Sequence, residues 1–260
     1  MTLDRRAFTP LLLALALAAS TLTQAQGAKL RIGVEGAYPP FSEVDAKGEL
    51  KGFEIDLARA WCARMKRECE LVKLDFDGLI PALQARKIDA IVASLSITEA
   101  RLKAIAFSRP YYSTPQTFMA RAGTGPDISP KALAGKRIGV QSATINEAYV
   151  TALYGQSQIT RYATQDQVYL DLKSGRIDYT LVDKVAAETF VQSPSGQGVA
   201  TVGPALRDPK YFGQGVGVGL RKADAAALGA AFNAAIAAGR ADGSFERLSR
   251  KYFPYDIAPP

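Results

Sequence analysis

An internal repeat constrains the fold of this chain more than any other sequence feature. Residues 30–34 read Leu-Arg-Ile-Gly-Val, and residues 136–140 read Lys-Arg-Ile-Gly-Val. Residues 83–94 and 172–183 form a second matching pair, in which a basic turn leads into Ile-Asp and then into an apolar run. Because both matches occur in the same order, we interpret them as two similar α/β units, each opening and closing with a buried strand.

Helical periodicity fills the sequence around these strands. One predicted helix places Trp61 and Cys62 on a single apolar face, another spans 223–239, and a last one runs from about 244 to 252. The stretches 110–115 and 211–219 read as connections between the units, and the alternation of Gly with Val in the second indicates an extended strand. Two such crossings form a hinge, which permits two lobes to close over a cleft.

The residue inventory excludes several classes of function. The chain has no histidine and only two cysteines, which removes His-dependent catalytic triads and the common His or Cys metal sites. Its formal charge is +7, but the basic residues are spread singly and lack interleaved aromatics. We therefore expect no nucleic-acid partner, no metal and no cofactor.

The first 25 residues are predicted to be a signal peptide. Arg5 and Arg6 precede an apolar run that is too short to span a bilayer, and the pair resembles a twin-arginine signal. Export would place Cys62 and Cys69 in an oxidising compartment, which favours a disulfide over two buried thiols, although both alternatives stay open. We expect an exported, monomeric protein.

The two repeats point to one ligand site. Ser94 and Asp183 occupy matching positions at strand ends, and ligands of open α/β sheets lie beyond the carboxyl ends of strands. After Ser94, the segment 96–99 reads as a capping box from Ser96, with Thr98 as a competing cap. Arg101 in the following turn can bind a carboxylate, while Asp183 suits an ammonium. Together these groups predict an α-amino-acid site.

Several motifs give the chain a specific family resemblance. These are Arg-Ile-Gly-Val-Glu-Gly-Ala-Tyr-Pro-Pro-Phe at 31–41, Gly-Phe-Glu-Ile-Asp-Leu at 52–57, Asp-Gly-Leu-Ile-Pro-Ala-Leu at 77–83 and Ser-Leu-Ser-Ile-Thr-Glu at 94–99. With them, the chain resembles the periplasmic polar amino-acid-binding proteins (solute-binding protein family 3), and within them the lysine/arginine/ornithine- and histidine-binding subgroup.

The resemblance implies an α/β, two-lobed periplasmic-binding-protein fold of type II, with two extended crossovers forming the hinge. Lobe 1 would comprise residues 29–112 and 216–255, and lobe 2 residues 116–211. A protein of this kind binds its ligand in the cleft, closes, and docks on the membrane permease subunits of an ABC importer. The cysteine pair matches a disulfide of the same subgroup.

The resemblance also implies roles for individual residues. Arg101 would bind the α-carboxylate, helped by backbone N–H groups of Ser96 and Thr144. Ser94, the Ser96 hydroxyl and Asp183 would hold the α-ammonium. The ligand side chain would lie between Tyr38 and Phe76, and its distal cation would pair with Glu35, which replaces an aspartate of the subgroup. The ligand would then be arginine, lysine, ornithine or a derivative; the role of Gln141 is undefined.

Two other functions fit the same fold. Some proteins similar to cyclohexadienyl dehydratases use this cleft for catalysis, which here would require Glu35, Asp183 or a lysine as the general acid or base. A ligand sensor without transport is the other alternative. The complete amino-acid site favours binding, so we expect no catalytic residues.

Overall fold

The computed structural model describes residues 29–259, in which strands and helices alternate. The predicted signal peptide, 1–25, lies outside these residues. The strands are β1 Leu30–Val34, β2 Ala37–Tyr38, β3 Ser42–Val44, β4 Leu50–Lys51, β5 Cys69–Lys73, β6 Ala90–Ile91, β7 Ala106–Phe107, β8 Gln116–Arg121, β9 Arg137–Gln141, β10 Gln158–Tyr162, β11 Tyr179–Asp183, β12 Val199–Leu206 and β13 Gly219–Leu220. The helices are α1 Phe53–Arg64, α2 Leu79–Gln84, α3 Glu99–Ala104, α4 Ile145–Leu153, α5 Gln165–Lys173, α6 Lys184–Gln192, α7 Pro209–Phe212, α8 Ala230–Ala241 and α9 Ser244–Tyr252.

The two repeat units form two sheets with matching topology. One sheet has the strand order β5-β1-β6-β13-β7, and the other has the order β10-β9-β11-β8-β12. Within each, the Ile-Gly-Val strand lies between two parallel neighbours, and the fourth strand is antiparallel. The chain therefore has the two-lobed α/β fold that the repeat and the family resemblance predict.

The repeated Ile-Asp motif has a structural role in both lobes. The carboxylate of Asp89 accepts hydrogen bonds from the backbone N–H and the guanidinium of Arg31, and it also pairs with Arg221. Asp178 holds the backbone and guanidinium of Arg137 in the same way. Each aspartate thus ties the start of one parallel strand to its neighbour, away from the carboxyl ends where the site lies.

Helix α1 covers one face of the first sheet and explains the cysteine pair. Trp61 is 2% exposed and Cys62 is 5% exposed, as expected for the apolar face of this helix. Cys62, near the end of α1, forms a disulfide with Cys69 at the start of β5, with their Cα atoms 6.1 Å apart. The predicted disulfide is confirmed, and it links a helix to the edge strand of its own lobe.

Two predicted elements differ from the structure. The extended strand expected at 211–219 is mostly irregular: Tyr211 lies in α7, Val216 makes isolated bridges to Ser96 and Tyr112, and strand β13 begins only at Gly219. The helix expected at 223–239 is a 3-10 turn and a π turn before α8 begins at Ala230. The Gly-rich and Ala-rich segments have weak local preferences, so packing decides their conformation.

The first crossover runs through the interior between the lobes. Tyr111 and Tyr112 are almost fully buried, and the backbone of Tyr112 pairs with Val216 of the returning chain. The C-terminal segment lies against the same crossover, because Ser113 N donates to Ile257 O. Among the described residues, no helix combines the length and apolar character needed to cross a bilayer.

Candidate functional site

A cavity of about 430 Å³ lies where the carboxyl ends of strands from both sheets face each other. All the residues predicted to contact a ligand line it: Glu35, Tyr38, Phe76, Ser94, Ser96, Arg101, Thr144 and Asp183. The two lobes touch at its walls, because Arg101 donates to Ala143 O and Gln141 donates to Glu35. The fold therefore brings residues from both repeats into one cavity.

Arg101 supplies the guanidinium of the cavity. One terminal nitrogen donates to Ser96 O and the other to Ala143 O, both at 3.0 Å, and the guanidinium carbon lies 5.6 Å from the centre of the Phe76 ring. Burial lowers the pKa of Arg101 to about 10, so the group stays charged at neutral pH. The side chain is thus held in place with N–H groups left for an anion.

The cap of the helix that carries Arg101 is Thr98, and the capping box predicted from Ser96 is wrong. Thr98 Oγ1 accepts a hydrogen bond from Arg101 N, and α3 begins at Glu99. Ser96 lies before the helix in a segment bridged to Val216. The bridge holds Ser96 in an extended backbone, so the threonine two residues later takes the cap position.

Two backbone N–H groups complete the anion-binding side of the cavity. Thr144 caps α4 by accepting a hydrogen bond from Glu147 N. In residues 29–259, neither Ser96 N nor Thr144 N donates to a protein acceptor. Both residues line the cavity, one from each lobe, beside the Arg101 guanidinium. These donors fit a carboxylate.

Asp183 lies at the end of β11 and caps the N-terminus of α6. Its Oδ1 accepts hydrogen bonds from Val185 N at 2.8 Å and Ala186 N at 3.3 Å, and its Oδ2 accepts one from Thr114 Oγ1 of the first crossover. Burial raises the pKa of Asp183 to about 6, while these hydrogen bonds act in the opposite direction. At neutral pH the residue is a buried carboxylate without a cationic partner in the described residues.

Ser94, at the matching position of the first repeat, is hydrogen-bonded to a buried acid, Glu54, whose role was not predicted from the sequence. Ser94 has a left-handed backbone with φ of 51°. Its N and Oγ donate to the Glu54 carboxylate at 2.8 and 3.0 Å, and Tyr111 of the first crossover donates to the same group. Because Ser94 gives its hydroxyl proton to Glu54, its Oγ can act only as an acceptor toward the cavity. This arrangement suits an ammonium.

Glu35 is the acid at the end of the first repeat strand. It is 4% exposed, and its Oε1 accepts a hydrogen bond from Gln141 Nε2 at 2.6 Å. Burial raises the pKa of Glu35 to about 7, and the nearby acids Glu54 and Asp166 raise it further. No cation of the described chain pairs with it, so a cation would have to come from a ligand.

Of the aromatic residues predicted to contact a ligand, Tyr38 is half-buried and Phe76 is buried. Tyr38 stacks on Phe41 with ring centroids 5.8 Å apart, and Phe41 stacks in turn on Tyr112. Phe76 is 8% exposed. Both Tyr38 and Phe76 border the cavity, and their packing holds each ring in one orientation.

The sequence did not predict every polar residue in or beneath the cavity. Glu54 lay within a recognised motif without an assigned role, and Thr114 lies in a crossover that carries no motif. Gln141 was the easiest of the three to predict, because it follows the second Ile-Gly-Val strand as Glu35 follows the first. No group of acidic, His or Cys residues suited to a metal ion occurs in the described part of the chain.

A family model identifies the chain. The model for bacterial extracellular solute-binding proteins, family 3, matches residues 30–255. The chain belongs to this family. Among its family 3 relatives is the lysine/arginine/ornithine-binding periplasmic protein of Escherichia coli K12, which is 45% identical over 231 residues covering 88% of each protein. The L-arginine-binding protein of Pseudomonas aeruginosa is 43% identical, over 95% of this chain and 96% of the relative.

A solved structure agrees with this family 3 assignment. An ancestral arginine-binding protein bound to arginine has a TM-score of 0.81 and 33% sequence identity. The alignment covers 88% of this chain and 99% of the ancestral protein. The fold and the subgroup that the motifs indicate are therefore both supported by independent comparisons.

Proposed function

We propose that this protein is the solute-binding component of an ABC importer and that it binds a basic L-amino acid, arginine, lysine or ornithine, between its lobes. The observation that carries the proposal is the charge balance of the cavity. Among the described residues that line it, Glu35 and Asp183 are buried acids and Arg101 is the guanidinium between the lobes, while Arg207 and Asp208 add one charge of each sign, Arg207 at an exposed position. A basic amino acid adds two cations and one carboxylate, which supplies a partner for Arg101, Asp183 and Glu35, whereas a neutral zwitterion leaves one of these two acids unpaired.

The α-carboxylate of the ligand binds to Arg101 and to the backbone N–H groups of Ser96 and Thr144. The α-ammonium donates to Asp183, to Ser94 Oγ and to the Ser96 hydroxyl. Support for these roles comes from the free donors on one side of the cavity and the acceptors on the other. The two sets come from both lobes, so a single ligand bridges them.

The distal cation of the ligand pairs with Glu35, and its aliphatic chain lies against Tyr38 and Phe76. A carboxylate beside aromatic faces favours a cation, and each cation–π contact contributes roughly 0.5–2 kcal/mol. The relatives named for lysine, arginine and ornithine support this choice of ligand.

Ligand binding favours lobe closure, because only the closed arrangement satisfies both halves of the site. In this proposal lobe 1 comprises residues 29–112 and 216–255, and lobe 2 comprises 116–211. The closed protein, a periplasmic monomer, then docks on membrane permease subunits. The periplasmic location of the relatives supports this assignment.

Calorimetric titration of Arg101→Ala and Asp183→Ala tests the site. Each variant removes the partner of one ligand charge, so we expect affinity for L-arginine, L-lysine and L-ornithine to fall by at least 100-fold, or about 3 kcal/mol. Arg250→Ala, at an exposed position on α9, is the matched control and should bind as the wild type does. Undiminished affinity in either site variant contradicts the proposal.

A binding role, not a catalytic one, is part of the proposal. Asp183 is held by two backbone N–H groups and Thr114, and Glu35 is held by Gln141, which suits recognition of a fixed charge. Incubation with arogenate or prephenate tests the dehydratase alternative, and formation of product would overturn this part. The sensor alternative is tested by amino-acid uptake in cells that lack the protein.

A further inference from the structure

Gln141 and Glu35 are equivalent residues of the two repeats, and they meet across the cavity. Glu35 directly follows the Val of the first Ile-Gly-Val strand, and Gln141 directly follows the Val of the second. Both side chains are 4% exposed and both line the cavity. Gln141 Nε2 donates to Glu35 Oε1 at 2.6 Å. One wall of the cavity is therefore made by a repeat-related acid and amide.

The orientation of the Gln141 amide follows from its partners. Its Nε2 also donates to the backbone carbonyl of Ala163 at 3.1 Å. A carbonyl oxygen can only accept hydrogen bonds, so the NH₂ group must lie on that side. Both of its hydrogens are then used by protein acceptors. Gln141 Oε1 receives no hydrogen bond from residues 29–259 and is not sealed from the cavity. The side chain thus presents a fixed acceptor.

We infer that Gln141 is a specificity-determining residue: its Oε1 accepts a hydrogen bond from the distal group of the ligand and, with Glu35, favours a guanidinium over a primary ammonium. This inference rests on the proposed function. A guanidinium spreads five N–H donors around a planar fork, so one edge can donate to Glu35 while another donates to Gln141. An ammonium concentrates its donors at one nitrogen, which a single carboxylate neutralises.

The two acceptors also come from different lobes. Glu35 follows β1, and Gln141 ends β9, so a guanidinium that contacts both links the lobes a second time, in addition to the α-amino and α-carboxylate contacts. Burial makes an unpaired donor or acceptor costly. A ligand whose donors all lie on one nitrogen beside Glu35 leaves Gln141 Oε1 unpaired in the closed cavity, and its affinity is lower for that reason.

Calorimetric titration of wild type and Gln141→Leu with L-arginine, L-lysine and L-ornithine tests this inference. Leucine has a similar volume and no acceptor. We expect the affinity for arginine to fall at least tenfold and that for lysine and ornithine to fall less than threefold. The variant also loses the contact with Glu35, but that loss weakens closure for all three ligands alike. The diagnostic quantity is therefore the ratio of arginine to ornithine affinity.

Two further variants keep the test independent of folding defects. Gln141→Met keeps the unbranched shape of glutamine without its acceptor and must lower the same ratio. Gln156→Leu, at an exposed position of lobe 2, must leave the ratio unchanged. An equal loss for all ligands, or no loss, overturns the inference and leaves the proposed function standing. A wild-type protein that binds none of the three overturns the proposed function and this inference with it.

Discussion

The buried acids of the cavity predict that ligand binding depends on pH and releases protons. With the lobes in contact as in this structure, the pKa of Glu35 is raised to about 7 and that of Asp183 to about 6, in both cases mainly by burial. A bound basic amino acid places a cation beside each carboxylate, which lowers both pKa values. Because the ligand binds the ionised acids, affinity is fully present only above about pH 8 and is lost as pH falls through the two raised pKa values.

The magnitude follows from the fraction of each acid that is ionised. At about pH 5.5, roughly 3% of Glu35 and roughly a quarter of Asp183 are ionised in the free protein. If both are ionised in the complex, the affinity for arginine falls about 100-fold between about pH 8 and pH 5.5, or close to 3 kcal/mol. Most of this change comes from Glu35, which has the higher pKa.

Calorimetric titration at several pH values, in two buffers of different ionisation enthalpy, gives both the affinity and the number of protons released. We expect about one proton released per arginine near pH 6.5. Glu35→Gln is the informative variant, because it should bind more weakly and keep only the smaller pH dependence centred near pH 6. An affinity that stays constant from about pH 5.5 to 8, with no exchange of protons, would refute the argument.

The other predictions concern two buried or cross-linked features of lobe 1. Replacing Cys62 and Cys69 by serine should lower the free energy of unfolding by about 2–3 kcal/mol, measured by urea denaturation, because the disulfide closes a short loop. Arginine affinity should stay within about threefold, since neither cysteine lines the cavity; a large loss would contradict this location of the site. Glu54→Gln should weaken arginine binding several-fold and lower stability by about 1–3 kcal/mol, because the carboxylate accepts hydrogen bonds from Ser94 and Tyr111. The effect on binding should shrink at about pH 5.5, where Glu54, with a pKa raised by burial to about 7, is already protonated. The effect on stability should instead be larger at about pH 5.5 than at about pH 8, because a raised pKa makes the ionised acid the less stable form in the folded protein. An equal effect on binding at about pH 5.5 and pH 8 would count against a charge-based role.

Local sequence determined the repeated architecture of this protein. Buried parallel strands require continuous apolar runs. Each run here ends in a polar residue, which is Ser94 in one lobe and Asp183 in the other. The position of these residues at equivalent strand ends was enough to predict that they border one cavity. Helix α9 was also predictable, because its strong apolar periodicity begins just after Gly243, which adopts a left-handed backbone.

Only the tertiary structure decided how the polar groups of the cavity pair. Thr98 rather than Ser96 caps α3 because Val216, more than a hundred residues away, bridges to Ser96. Glu54 supports Ser94, and Gln141 contacts Glu35 at a sequence separation of 106 residues. Propensity and periodicity report on neighbours within a few positions, whereas these pairings join residues far apart in sequence, within lobe 1 for Ser96 and Ser94 and between the lobes for Gln141.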